Sequence, residues 1–123
     1  MIDAVGVDIA DVKRIKNALE RWGDRFISRT FSSREVQYCR RHRDEALRFA
    51  ARFAAKEAFI KCMGSARGIH WNEIELLNDR SGKPHFHLSD GIKKELGKRE
   101  IKKVHVSVTH AAEYAVAFVV FEV

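Results

Sequence analysis

The sequence predicts one domain of mixed helix and strand. Three patterns predict it: an alternating apolar run at each end of the chain, a long helix-period stretch from Asp44 to Gly64, and a polar turn at Asn78–Gly82 between two short strand-like runs. The 123 residues are the usual size of one domain, and 46% hydrophobic residues suffice for a core of that size. Pro84 is the only proline, seven glycines are scattered, and no repeat, low-complexity run or linker interrupts the chain.

Residues 2 to 8 read as a first strand, with Val5 and Val7 on one side and Asp8 at its end; Asp11 is positioned to cap a following helix. From Asp11 to Phe26 the residues Ile15, Ala18, Leu19, Trp22 and Phe26 recur at helical spacing and predict a buried stripe. Arg14, Arg21 and Arg25 form a second stripe beside it, either a solvated face or a binding surface. A short helix is expected over 33–42, opened by Ser32 or Ser33. The segment from Asp44 to Gly64 is apolar around most of its circumference, which predicts a helix buried on most sides and stopped by Gly64. Ile74 and Leu76 should face Phe86 and Leu88 across the polar turn, and Ser89 should cap a helix through about Leu96. KVHVSVTH and YAVAFVVFEV predict a final hairpin. Its last strand is apolar on both faces, so it must be sandwiched or meet another subunit.

The chain carries 23 Lys and Arg against 17 Asp and Glu, for a net charge of +6. That charge favours an anionic partner without choosing among nucleic acid, phosphorylated small molecule, acidic protein and anionic membrane. Cys39 and Cys62 have no metal-ligand spacing and are expected as reduced structural thiols. No stretch offers the ~20 apolar residues of a membrane span. The opening MIDAVGVDIADVKRI lacks a basic region followed by an apolar core, so a cytoplasmic protein is expected.

Glu57 stands in the middle of the apolar helix, where an unpaired carboxylate is costly and needs a lysine, a water-filled cleft or a metal. Lys61, four residues on, offers an ordinary helical pair worth ~0.3–0.5 kcal/mol. By spacing alone Glu57 is a paired helix residue, Asp8 a capping aspartate and His110 a hairpin-corner histidine, more readily than any of them is functional.

Taken together, Gly6-Val7-Asp8-Ile9 with Arg14-Ile15, then Arg52-Phe53-Ala54-Ala55-Lys56-Glu57-Ala58-Phe59 with Lys61 and Gly64, then Ser81-Gly82-Lys83-Pro84, and finally Val106-Ser107-Val108-Thr109-His110 with Tyr114-Ala115, are similar to the holo-[acyl-carrier-protein] synthase family of 4′-phosphopantetheinyl transferases. The four blocks keep the family's order and cover essentially the whole chain. The resemblance implies an α+β fold in which an antiparallel sheet wraps a long central helix, and a homotrimer with active sites between subunits. It implies transfer of 4′-phosphopantetheine from coenzyme A to a serine of an apo-acyl-carrier protein, with release of adenosine 3′,5′-bisphosphate, in support of fatty acid biosynthesis.

By the same resemblance Asp8 and Glu57 hold Mg²⁺, and Lys61 neutralises a phosphate beside them as the third catalytic residue. Coenzyme A is expected along Arg52, Lys61, Gly64, Lys83, Pro84, Thr109 and His110. Arg14, Arg21 and Arg25 are expected to dock the acidic carrier. The chemistry suits these residues: attack on a pyrophosphate needs negative oxygens shielded and a leaving phosphate stabilised, and magnesium takes a few carboxylates plus phosphate oxygens. Glu57 and a metal-bound water both remain available to remove the serine proton. The string Cys62-Met63-Gly64-Ser65-Ala66-Arg67-Gly68 departs from the family's more usual KAFGTG-like loop, leaving Arg67 either a phosphate contact or a solvent-facing side chain. Two other classes compete. A small basic nucleic-acid-binding module fits the charge but leaves Asp8 and Glu57 idle and lacks stacking aromatics; an inactive coenzyme A-binding relative would keep the blocks without the reaction.

Overall fold

The first strand, β1 (Ile2–Asp11), runs three residues beyond the expected end, so Asp8 is a strand-interior residue paired with Ala117 and not a terminal acid. The computed structural model describes all 123 residues. The remaining elements are α1 (Val12–Trp22), α2 (Asp24–Thr30), α3 (Ser33–Arg40), α4 (Glu45–Met63), β2 (Ile74–Asn78), β3 (Pro84–Leu88), α5 (Asp90–Lys98), β4 (Lys103–His110) and β5 (Tyr114–Glu122), with a 3₁₀ turn at Trp71–Glu73 before β2. Strands β1, β5 and β4 form one antiparallel sheet with β5 central, and β2 and β3 form a second antiparallel pair.

The helix expected from Asp11 to Phe26 is two helices. Asp11 caps α1 as anticipated, its carboxylate accepting from the Lys13 N–H at 2.9 Å. Gly23 then turns the chain at φ 50°, a conformation glycine adopts without a Cβ penalty, and α2 sets off in a new direction. Arg25 and Phe26 therefore belong to α2. Ile15 is buried and Phe26 half-buried, but Trp22, assigned to the buried stripe, is exposed and stacked under the Arg21 guanidinium at 5.0 Å.

Helix α4 is the axis of the core. Ten of its 19 residues are buried, which explains the near-uniform apolar circumference, and Gly64 ends it in the left-handed region. The three-stranded sheet lies across it: Ala115, Ala117, Val119 and Phe121 of β5 are fully buried, and Phe59 packs edge-on against both Phe121 and Phe86. Gly6 lets β1 approach; a Cβ there would collide with the Ala58 carbonyl oxygen and stand 3.1 Å from the Cys62 sulfur. Helix α3 opens with a complete capping box between Ser32 and Glu35.

The β2–β3 pair has the expected register, Ile74 opposite Leu88 and Leu76 opposite Phe86. Both cysteines are free and buried; burial pushes the Cys39 thiol up to about 12 and the Cys62 thiol to about 11, suiting inert packing. The outer face of the sheet is uncovered within the chain. Val5, Val7, Ile9 and Phe118 are all exposed there, with Val7 directly opposite Phe118.

Candidate functional site

Strand β1 and helix α4 bring Asp8 and Glu57 to one open cleft of about 410 Å³, lined also by Asp11, Arg14, Ile15, Phe26 and Phe53. Alternation along β1 turns Asp8 inward with Gly6 and Ala10, away from exposed Val7 and Ile9. Arg14, on the first turn of α1, joins both acids at the same cleft.

Lys61 does not close the local pair with Glu57. Its ammonium donates to the Val7 carbonyl at 2.7 Å and stands 3.3 Å from the Asp8 carboxylate, crossing from α4 to β1. Glu57 makes no hydrogen bond or ion pair. Burial pushes its carboxyl above the ordinary range, the neighbouring negative charge of Asp8 adds to the shift, and Lys61 opposes it. Two acids facing one cleft, one of them unpartnered and with its carboxyl raised by burial and then by the other, form a donor set that a hard divalent cation would suit.

The remaining expected residues are dispersed. Gly64 follows one turn after Lys61, its N–H bonded to the Ile60 carbonyl at 3.0 Å. Arg52 is 3% exposed and lines a different cleft with Tyr38, Asn78 and Arg80. Lys83 is exposed on the β2–β3 turn, Pro84 begins β3, and Thr109 and His110 are exposed at the end of β4. None of Arg52, Lys83, Pro84, Thr109 and His110 lines the Asp8–Glu57 cleft of the same chain. Arg21 and Arg25 are exposed, on α1 and α2 respectively, and the Arg67 side chain extends into solvent without a partner.

Residue spacing gave no sign of one network beside the site. Lys56, adjacent to Glu57 in sequence, is wholly buried; its ammonium donates to Glu35 at 2.6 Å and to the Trp71 carbonyl at 3.0 Å. Glu35 also accepts from the N–H groups of Ser32 and Leu76, at 2.9 and 3.1 Å. A lysine inside an apolar helix signals that a carboxylate must come from elsewhere, but nothing in helical spacing names Glu35.

Two inward-facing acids and an arginine lining one cleft, with a lysine beside Asp8, suit an enzyme that handles a phosphorylated substrate. Residues 4–119 match the model of the 4′-phosphopantetheinyl transferase superfamily, and the chain belongs to that superfamily. Its full-length relatives are holo-[acyl-carrier-protein] synthases. That of Halothermothrix orenii is 39% identical over 99% of this chain and 98% of its own length, and that of Solibacter usitatus 40% identical over 99% of both. The crystal structure of the Neisseria meningitidis holo-[acyl-carrier-protein] synthase superimposes with a TM-score of 0.92 at 33% identity, covering 99% of each chain. The Helicobacter pylori enzyme in complex with coenzyme A superimposes with a TM-score of 0.84 at 27% identity, over 96% of this chain and 99% of that one.

Proposed function

We infer that this protein is a holo-[acyl-carrier-protein] synthase that transfers 4′-phosphopantetheine from coenzyme A to a serine of an apo-acyl-carrier protein, with Asp8 and Glu57 holding Mg²⁺. The observation that carries the residue roles is the meeting of Asp8 and Glu57 at one cleft, with Lys61 drawn to Asp8 and Glu57 left without a partner. The activity itself rests on family membership across residues 4–119 and on relatives and coenzyme A complexes of the same length and fold.

In the reaction the serine oxygen bonds to the β-phosphorus of the coenzyme A pyrophosphate. The bridging oxygen leaves with its electron pair on adenosine 3′,5′-bisphosphate, and the hydroxyl proton passes to a base. Bound Mg²⁺ supplies charge that offsets the phosphate oxygens and the developing negative leaving group. Asp8, fixed by strand pairing, and Glu57, fixed by the buried α4, form a rigid carboxylate pair on separate elements. Glu57 is first a ligand; its raised carboxyl also places it nearer the range of a general base. Lys61 is half-exposed and held by only two contacts, so its ammonium is free to swing toward a phosphate.

A homotrimer completes the site. Among the residues expected to hold coenzyme A that do not line the Asp8 cleft, Lys83, Pro84, Thr109 and His110 are then contributed across an interface made by the uncovered sheet face. Arg14, Arg21 and Arg25 present positive charge around the cleft for the acidic carrier, which speeds encounter and orients the incoming serine. Incubation with coenzyme A, Mg²⁺ and an apo-carrier, followed by mass measurement of the carrier, tests the reading. The carrier gains the mass of one phosphopantetheine; no gain across several apo-carriers would overturn it.

A further inference from the structure

Arg99 caps the C-terminal end of α5 and reaches the C-terminal end of α4. Its own N–H bonds to the Glu95 and Leu96 carbonyls at 3.3 and 3.1 Å. The next two N–H groups close a Schellman turn, Glu100 to Gly97 at 3.0 Å and Ile101 to Leu96 at 2.9 Å. The turn puts Glu100 at φ 60°, the only non-glycine residue of the protein with a positive φ. A side chain is disfavoured in that region, so the chain accepts a local strain that fixes where Arg99 leaves the helix.

From that point the guanidinium meets three other elements. Nη2 donates to the Asp3 carboxylate on β1 at 2.5 Å and to the Cys62 carbonyl at 3.1 Å, and Nη1 donates to the Met63 carbonyl at 3.3 Å. The guanidinium carbon stands 5.4 Å from the centre of the Phe121 ring on β5. Cys62 and Met63 are the last two residues of α4. Carbonyls in the last turn of a helix have no intrahelical donor and form its partly negative pole. Arg99 supplies donors and a positive charge at that pole.

The helix end held in this way carries part of the site. Lys61 precedes Cys62, and Gly64 follows Met63 at φ 89°. Asp3 lies on the same strand as Asp8, and between them Gly6 stands directly against Ala58 and Cys62 of α4. Polar side chains therefore tie β1 to α4 twice: through Lys61 at Val7 and Asp8, and through Arg99 at Asp3. When Lys61 swings toward a phosphate, Arg99 is the tie that remains. Arg99 does not line the acid cleft, so its effect on substrate passes through α4.

We propose that Arg99 is a positioning residue for coenzyme A: by holding the terminal carbonyls of α4 against Asp3, it sets the backbone at Gly64 for the phosphates of the substrate. This rests on the transferase reading, in which Lys61 and Gly64 meet coenzyme A. Without Arg99, a phosphate arriving at Gly64 would face bare carbonyl oxygens at the negative pole of the helix.

Arg99→Met tests it, because methionine keeps an apolar stem beside Phe121 and donates nothing, whereas Arg99→Lys keeps a charged donor. Measured well below the melting temperature of each folded protein, R99M should bind coenzyme A about tenfold more weakly by calorimetry. Its Michaelis constant for coenzyme A should rise to match, with that for the apo-carrier unchanged. Amide exchange should quicken from Gly64 through Gly68. R99K should recover coenzyme A affinity to within about threefold of wild type, and R99Q, a neutral donor, should fall between the two. A purely structural arginine would lower the melting temperature and leave these constants alone. That result, or an equal rise in both Michaelis constants, would overturn the proposal. Because binding is measured apart from turnover, a chain that binds coenzyme A without modifying any carrier would sink the transferase reading while the affinity series still decides the role of Arg99.

Discussion

Lys61 reaches across from α4 to stand 3.3 Å from the Asp8 carboxylate and leaves Glu57, its neighbour one helical turn away, without a partner. Glu57 is consequently the strained acid of the pair, its carboxyl raised by burial and then by Asp8. Between the ordinary carboxylate value of 4.5 and the raised one, the folded protein binds more protons than the unfolded chain. Stability from this group therefore falls as pH rises through that window. Without metal, E57Q is expected to melt about 1–3 °C higher than wild type near neutral pH, with the difference vanishing below about pH 4. Mg²⁺ should stabilise the wild type and not the variant, while turnover of E57Q and of Asp8→Ala falls by at least about 100-fold. Thermal melts across pH with and without Mg²⁺ check it, and an E57Q protein that still gains stability from Mg²⁺ would remove Glu57 from the ligand set.

The Lys56–Glu35 pair makes a stability prediction distinct from the site. Both side chains are fully buried, so removing one partner strands a charge, and Lys56→Met is expected to cost about 3–5 kcal/mol in urea denaturation. The double variant K56M/E35L removes both charges. It should recover most of that loss, although the N–H groups of Ser32 and Leu76 lose their acceptor. A single variant as stable as wild type would show that the lysine is neutral in the fold.

These two relationships mark where the sequence was legible. Strong periods were read correctly: α4 with its stop at Gly64, the cap at Asp11, and the β2–β3 register from Ile74 against Leu88. Gly23 was missed because the apolar spacing continues across it to Phe26, and a spacing pattern carries no information about the sign of φ. Spacing alone pairs Lys61 with Glu57, because helical spacing sees a partner four residues away and is blind to Asp8, 53 residues away. The same blindness hid Glu35 from Lys56. The family blocks named Asp8 and Glu57, which the fold brings to one cleft, whereas the partner of each buried charge became visible only with the packing of α4 on β1 and α3.

The arginines of α1 and α2 give a prediction about the carrier. Arg14 lines the acid cleft, Arg21 is exposed over Trp22, and both are clear of Arg52 and the β2–β3 turn. Reversal in R21E/R25E, which spares the cleft-lining Arg14, should weaken carrier binding at least about tenfold at low salt, chiefly through a slower on-rate, and should leave coenzyme A affinity unchanged. Surface plasmon resonance against an apo-carrier at two salt concentrations measures this. An unchanged carrier affinity would return the stripe to a solvated helix face.

The uncovered face of the three-stranded sheet gives the sharpest test of assembly. Val5, Val7 and Ile9 of β1 lie opposite Val120, Phe118 and Val116 of β5, and Val7 and Phe118 remain 53% and 45% exposed. A contiguous apolar patch of this kind on a sheet marks a protein interface more often than a free surface. Its side chains point away from the α4 core, so charging them leaves the fold of one chain intact. Phe118→Glu is accordingly expected to yield a folded monomer by circular dichroism and sedimentation, where the wild type is expected to sediment as a trimer. If Lys83, Pro84, Thr109 and His110 reach the acid cleft only across that interface, the monomer should also lose coenzyme A turnover. A wild type that sediments as a monomer, or a Phe118→Glu protein that stays trimeric, would show that another surface or no surface assembles the enzyme.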